Sequence, residues 1–150
     1  MLEATEDCAM KEDVISEINR DCLATRTRRI SRVITAIYDE KLRQFGINSP
    51  QFTLLVVIAR LGPVSGAEIG RANHQERSTL SRNLQLMLTA GWIEEATKEA
   101  SGRSRPVSLT KAGREMLREA APAWRDAQAQ ARVLLGEGGA AAIKNIADDL

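Results

Sequence analysis

The sequence predicts a mainly α chain with a small antiparallel β wing and helices at both ends. Three observations carry this. Hydrophobic residues make up 43% of the chain but aromatics only 3%, so the core must come from Leu, Ile, Val and Ala, which suits helices. Two long stretches repeat apolar residues at helical spacing: Ile30, Val33, Ile34, Ile37, Tyr38, Leu42 and Phe45, then Met116, Leu117, Ala120, Trp124, Ala127, Ala131 and Leu134. One pair of short apolar-containing segments, Ile93 to Thr97 and Pro106 to Leu109, brackets a polar stretch from Lys98 to Ser104 and reads as a hairpin.

Taken in order, the first helix runs from about Lys11 to Phe45 and stops at Gly46. Ser49-Pro50 reads as N-cap and first-turn proline of a helix that ends at Gly62-Pro63. A short helix covers Gly66 to Ala72. The turn Asn73-His74-Gln75 leads into another helix from Glu76 to about Ala90, closed by Gly91. Pro106 fits a strand start or an edge, because it has no N–H for a ladder. Thr110 caps the long helix from Lys111 to about Leu135, which Pro122 should kink or break. After Gly136 to Gly139, a final helix holds Ala140 to Leu150.

At 150 residues the chain is about one domain and can bury a core without disulfides or metals. Residues 1–18 carry one lysine and six acids, net −5, whereas residues 19–61 carry eight basic and three acidic residues, net +5. The total of +1 therefore hides a strong local asymmetry, and phosphate attraction is local, screened within roughly 10 Å. The apolar run Phe52 to Leu61 is interrupted by Arg60 and is too short to span a bilayer. The acidic N-terminus does not resemble a signal peptide, and Cys8 and Cys22 form no secreted disulfide framework, so a cytoplasmic setting is expected, with no membrane partner.

Catalytic and metal chemistry lack candidates. His74 is the single histidine, no Cys/His spacing suits a metal, and Gly62, Gly66 and Gly70 lack the Lys-Ser/Thr of a phosphate loop. The expectation is a protein that is no enzyme and carries no cofactor.

The segment from Glu76 to Ala90 carries the functional signal. Leu80, Leu84, Met87 and Leu88 share one face at roughly 100° per residue. Ser78, Ser81, Arg82 and Gln85 lie opposite, with Thr79 at the border and Arg77 at the helix start. Arginine can fork onto guanine, glutamine onto adenine, and hydroxyls reach bases or phosphates. Leu86 also points away from the inward face, and this chemistry does not account for it; contact with the wing is one reading. The preceding short helix and turn give helix-turn-helix order. The hairpin adds Arg103 and Arg105 around Ser104, placed for the negative potential of a minor groove. The DNA-binding residues expected are therefore Arg77, Ser78, Thr79, Ser81, Arg82, Gln85, Arg103 and Arg105. A module of this order that binds protein instead of DNA is the alternative; the hydroxyl-and-arginine face argues against it.

Residues from about Cys22 to Gly136 resemble the MarR family of winged helix-turn-helix regulators. The resemblance rests on Leu23 to Thr35, on Ser49-Pro50-Gln51-Phe52-Thr53-Leu54-Leu55, and on Arg77-Ser78-Thr79-Leu80-Ser81-Arg82-Asn83-Leu84. Val107-Ser108-Leu109-Thr110-Lys111-Ala112-Gly113 and Pro122-Ala123-Trp124-Arg125-Asp126-Ala127-Gln128 extend it. It implies a homodimer on pseudo-palindromic operators, a repressor in action, often released by a small aromatic or phenolic ligand or by oxidation. One departure is Ser101, where the family usually holds its wing-tip arginine (here Arg103) with an aspartate two residues earlier; Glu99 is near enough to substitute.

The expected organisation is an acidic segment 1–18 followed by a winged-helix domain 19–150. Its DNA-binding core spans about 47–110, and its dimerisation helices about 11–45 and 111–150, with apolar stripes that a symmetry mate would cover. Cys22 resembles in position the reactive cysteine of the family's peroxide-sensing branch. Arg26, Arg28 and Arg29 follow it and would favour thiolate, although the only tyrosine is Tyr38; a buried structural cysteine is the alternative. Arg28, Arg29, Arg32 or Trp124 could equally line a ligand crevice or a dimer surface.

Overall fold

The computed structural model describes residues 13–96 and 105–150. The predicted Thr97, Glu99, Ser101, Arg103 and Ser104 of the hairpin tip, together with Cys8 and Lys11, lie outside the described residues. The element order is α1 (residues 13–21), α2 (Leu23–Leu42), a 3-10 turn (Arg43–Phe45), α3 (Ser49–Leu61), α4 (Gly66–Ala72), α5 (Arg77–Thr89), β1 (Ile93–Glu95), β2 (Val107–Leu109) and α6 (Lys111–Asp148). This is the predicted mainly helical, winged helix-turn-helix order. Packing divides the chain into two compact units, one ending at Ala36 and the other Ile37–Leu150. No helix among the described residues is long and apolar enough to cross a membrane.

In the first unit, the expected single helix is interrupted at Cys22, between α1 and α2. Val14, Ile15, Ile18, Leu23, Ile30 and Val33 are all exposed there.

In the second unit, Gly46 ends the 3-10 turn in the left-handed region at φ 70°, where glycine has no Cβ penalty. The cap of α3 is Asn48, one residue before the Ser49 expected. Asn48 Oδ1 accepts from the Gln51 backbone N–H at 2.9 Å, and Gln51 Oε1 accepts from the Asn48 N–H at 3.2 Å. Pro50 fits the second helical position as well as the first, because no N–H of the opening turn has an intrahelical partner. The freed Ser49 N–H donates to Asp39 Oδ1 at 2.6 Å. Helix α4 matches its predicted bounds and starts on a reciprocal cap, Ser65 with Glu68, whose carboxyl the Ser65 hydrogen bonds hold below its usual pKa.

Leu42, Leu54, Leu55, Ile58, Ile69, Met87 and Ile93 are fully buried and form the centre of the core. The hairpin closes over it with Ile93 opposite Leu109 and Glu95 opposite Val107. Val64 adds a one-residue third rung, exchanging both backbone hydrogen bonds with Val107 at 3.0 and 2.8 Å. Pro106 stands just before β2, and its carbonyl accepts from the Ala96 N–H at 2.8 Å.

Thr110 caps α6 as expected, accepting from the Gly113 N–H at 3.1 Å while its hydroxyl donates to the Gly91 carbonyl at 2.6 Å. Three expectations for α6 are corrected. The helix runs through Pro122 and leaves helical geometry only at Gly136, where φ 67° and ψ 164° suit glycine alone. Proline costs the Arg118 carbonyl its i+4 donor, but both residues are exposed, so water can replace it. The chain is helical again from Glu137, before the Ala140 predicted, and Arg132 pairs with Glu137 across the break at 2.7 Å. The buried line of α6 is Gly113, Ala120, Ala123, Ala127 and Ala131. Trp124 and Leu134, expected within it, are 37% and 56% exposed.

Candidate nucleic-acid interface

The turn between α4 and α5 is held by backbone and side chain together. His74 adopts the left-handed conformation at φ 46°, the Gln75 N–H returns to the Gly70 carbonyl at 3.0 Å, and Asn73 Nδ2 donates to Gln75 Oε1 at 3.1 Å. These contacts fix the start of α5 against α4.

From that anchored start, the alternation of α5 follows its sequence. Leu80 and Met87 are buried, and Leu84 and Leu88 are half-buried against the core. Arg77, Ser78, Thr79, Ser81, Arg82 and Gln85 are all exposed. Every predicted residue of this helix therefore stands on its solvent side. Leu86 joins them at 52% exposure. A carboxylate borders this face: Glu76 occupies the N-cap position, and its Oε1 accepts from the Ser78 hydroxyl at 2.9 Å. A carboxylate at that end is favoured by the helix dipole. It also leaves Ser78 already engaged.

A cleft of about 680 Å³ opens between α4, α5 and the base of the hairpin. Arg77, Ser81, Gln85 and Arg105 line it together; Ser78, Thr79 and Arg82 lie outside its lining. Arg71, from the last turn of α4, is a further cation in this wall that sequence reasoning missed. Arg105 Nη1 pairs with Glu95 Oε2 at 2.9 Å across the hairpin. Glu99, expected to substitute for the aspartate that Ser101 displaces, belongs to the segment outside the described residues; the partner described, here of Arg105, is Glu95. That pair is exposed and contributes little stability. Its effect is geometric, holding the Arg105 head near the cleft.

Cys22 belongs to the first unit, at the junction of α1 and α2. Thr25 Oγ1 donates to Cys22 Sγ at 3.3 Å, and this hydrogen bond is the main reason its thiol pKa falls below the usual value. Arg28 adds only a small electrostatic part. Arg26, expected to favour thiolate, instead donates from Nε to the Arg20 carbonyl at 2.8 Å. Tyr38, in the second unit, donates its hydroxyl to Gln128 Oε1, and burial raises its pKa.

Comparison with known proteins places this arrangement. A profile of the MarR family matches residues 45–104. The HTH-type transcriptional regulator YwoH of Bacillus subtilis is 29% identical over 97 residues, covering 65% of this chain and 69% of the relative. The transcriptional regulator MosR of Mycobacterium tuberculosis, solved in complex with DNA, is 32% identical, with a TM-score of 0.72 over 86% of this chain and 96% of that one. The fold is shared also by the M. tuberculosis MarR family protein Rv2887, solved with salicylic acid, at 24% identity and a TM-score of 0.65 over 87% of this chain and 98% of that one. These relatives are regulators and not enzymes, in keeping with the expectation from the sequence. The chain belongs to the MarR family of winged helix-turn-helix transcription regulators.

Proposed function

We propose that the protein is a homodimeric repressor that binds pseudo-palindromic operators and is released by a small aromatic or phenolic effector. The observation that carries the reading is the exposed outer face of α5, where one arginine, an amide and small hydroxyls stand together beside Arg77. In this reading α5 enters the major groove, where Arg82 and Gln85 reach base edges and Arg77, Ser78, Thr79 and Ser81 reach phosphates or bases. Arg103 and Arg105 serve the adjacent minor groove. MosR, solved with DNA, supports the partner; Rv2887, named a repressor among its relatives and solved with salicylic acid, supports repression and an effector.

The DNA-binding core is assigned to about 47–110 and dimerisation to about 11–45 and 111–150. The dimer rests on the exposed apolar side chains at both ends: Ile15, Ile18 and Leu23 in the first unit, and Val133, Leu134 and Ile146 in the second. A soluble chain gains by covering such patches against a second copy. Two α5 helices would then address major grooves about 34 Å apart.

Titrating purified protein onto genomic duplex fragments tests this. Binding should weaken steeply with salt, by about 10³-fold or more between 50 and 200 mM if six or more phosphates are neutralised. Failure to bind duplex DNA at low ionic strength would leave a protein-binding module. Arg103→Ala should weaken operator binding while sedimentation shows an intact dimer; dissociation into monomers would contradict the wing assignment.

A second reading, release by oxidation, is favoured by the Thr25 hydrogen bond that lowers the Cys22 thiol pKa. A larger thiolate fraction at neutral pH speeds attack on a peroxide O–O bond, giving sulfenate and water or an alcohol. Peroxide should release wild-type protein from DNA and leave Cys22→Ser bound; equal release of both would remove this reading.

A further inference from the structure

Leu86 is the residue of α5 that hydrogen-bonding chemistry does not use. It is 52% exposed, the only large apolar side chain so exposed among the described residues from Gly66 to Ala96. An isolated exposed leucine is ordinary, so its position has to make the case. At roughly 100° per residue, Leu86 lies about 40° from Arg82 and about 20° from Thr79 on the helix surface. Thr79, Arg82 and Leu86 are thus i, i+3 and i+7 along one stripe, the periodicity with which a recognition helix lays side chains along a groove. The core-facing set is complete without it, because Leu80, Leu84, Met87 and Leu88 already fill that face.

An apolar group on a helix in the major groove has one base feature to match: the C5 methyl of thymine, the only apolar group a base pair presents there. Resting on the DNA-reading role of α5, we infer that Leu86 is a specificity-determining residue that packs on thymine methyl groups next to the base pair addressed by Arg82. Its selectivity arises from burial of a methyl group, not from a donor or acceptor. Cytosine at that position offers no methyl and an amino group the leucine cannot satisfy, so the same contact also discriminates against C.

The test uses the full-length protein and an operator duplex selected from genomic fragments. Each thymine is replaced singly by deoxyuridine, which removes the methyl and keeps the base pair. Wild-type protein should lose about fourfold in affinity at one or two positions in each half-site, the value of one buried methyl group. Leu86→Ala should bind the T and U forms of those positions equally, whereas Leu86→Met, which keeps an apolar tip, should retain the preference. Wild-type indifference to every uridine overturns the inference. So does a Leu86→Ala protein with undiminished methyl preference, which would move the reading to another side chain such as Thr79. Loss of all duplex binding by wild-type protein would instead overturn the DNA-reading role itself, and is distinguishable because no T form would bind.

Discussion

Replacing Arg82 by alanine is expected to weaken operator binding by about 1–3 kcal/mol, roughly 5- to 150-fold, without changing the stability of the protein. Arg82 is exposed near the middle of α5, and no carboxylate pairs with it among the described residues. Its removal therefore opens no cavity and strands no buried charge, and the thermal midpoint should stay within the small range of surface substitutions. What it can do depends on its partner. A guanidinium forked onto guanine O6 and N7 contributes to one base pair, so alanine should relax selection there and leave non-specific binding largely unaltered. A guanidinium on phosphate contributes equally to every sequence; alanine would then weaken all duplexes alike and lower the salt slope by about 1. Arg82→Lys separates the two cases further, because lysine keeps the charge but loses the planar fork. Salt-series binding to operator and to scrambled duplex measures both. An unchanged affinity for the operator would remove Arg82 from the interface.

The outer face of α5 was legible because helical periodicity decides it. Once Leu80, Leu84 and Met87 are assigned inward, the positions of Ser81, Arg82 and Gln85 follow. The bounds of α4 were equally legible from the glycines and polar residues around it. Features set by tertiary contact were not. The stripe read for α6 took in Ala120, Ala127 and Ala131, which are buried, but also Trp124 and Leu134, whereas the chain buries Ala123 and leaves both large residues exposed. Small residues carry little weight in a pattern ranked by hydrophobicity, yet they permit close packing. Pro122 is carried within α6, its lost hydrogen bond falling on a wet helix face, whereas the break at Gly136 was legible from the glycines that follow Leu135. The Val64 rung on Val107 is one residue long and leaves no period to detect. The cleft joining Arg71, Arg77 and Arg105 depends on how the hairpin packs beside α5, and no local spacing encodes that.

Gly113→Ala should be among the most destabilising single substitutions in the chain, although it exchanges the poorest ordinary helix former for the best. Propensity alone predicts a gain of about 1 kcal/mol at a helical glycine. Packing opposes it. A Cβ at Gly113 would lie 2.1 Å from the Trp92 carbonyl oxygen and 3.0 Å from Leu109 Cδ2. The carbonyl is backbone and cannot swing aside as a side-chain end could. It accepts from the Thr110 N–H at 3.1 Å, and the next residue, Ile93, pairs with Leu109 in the hairpin. Relief of the clash must therefore move the start of α6 away from the hairpin, strain the Thr110 cap, or shift β1 over the core. Overpacking of this kind typically costs about 1–3 kcal/mol, and occasionally more where backbone is the obstacle, so it outweighs the propensity gain. The midpoint of urea unfolding should fall at unchanged m-value, with a drop in thermal midpoint of roughly 2–4 °C for each kcal/mol lost. Gly138→Ala is the matched control. It sits in the first turn of the helical segment that restarts after Gly136, with nothing within 4 Å of its added Cβ, and alanine there should stabilise by about 0.4–1 kcal/mol. Opposite signs at the two glycines would tie the Gly113 loss to the hairpin contact. If both substitutions stabilise, the tight seam between α6 and Trp92 is not a constraint on this fold. Because that seam also sets the angle at which the hairpin leaves the core, Gly113→Ala should weaken operator binding while its outer α5 residues remain intact, and Arg103→Ala placed on top of it should then cost less than in the wild-type protein.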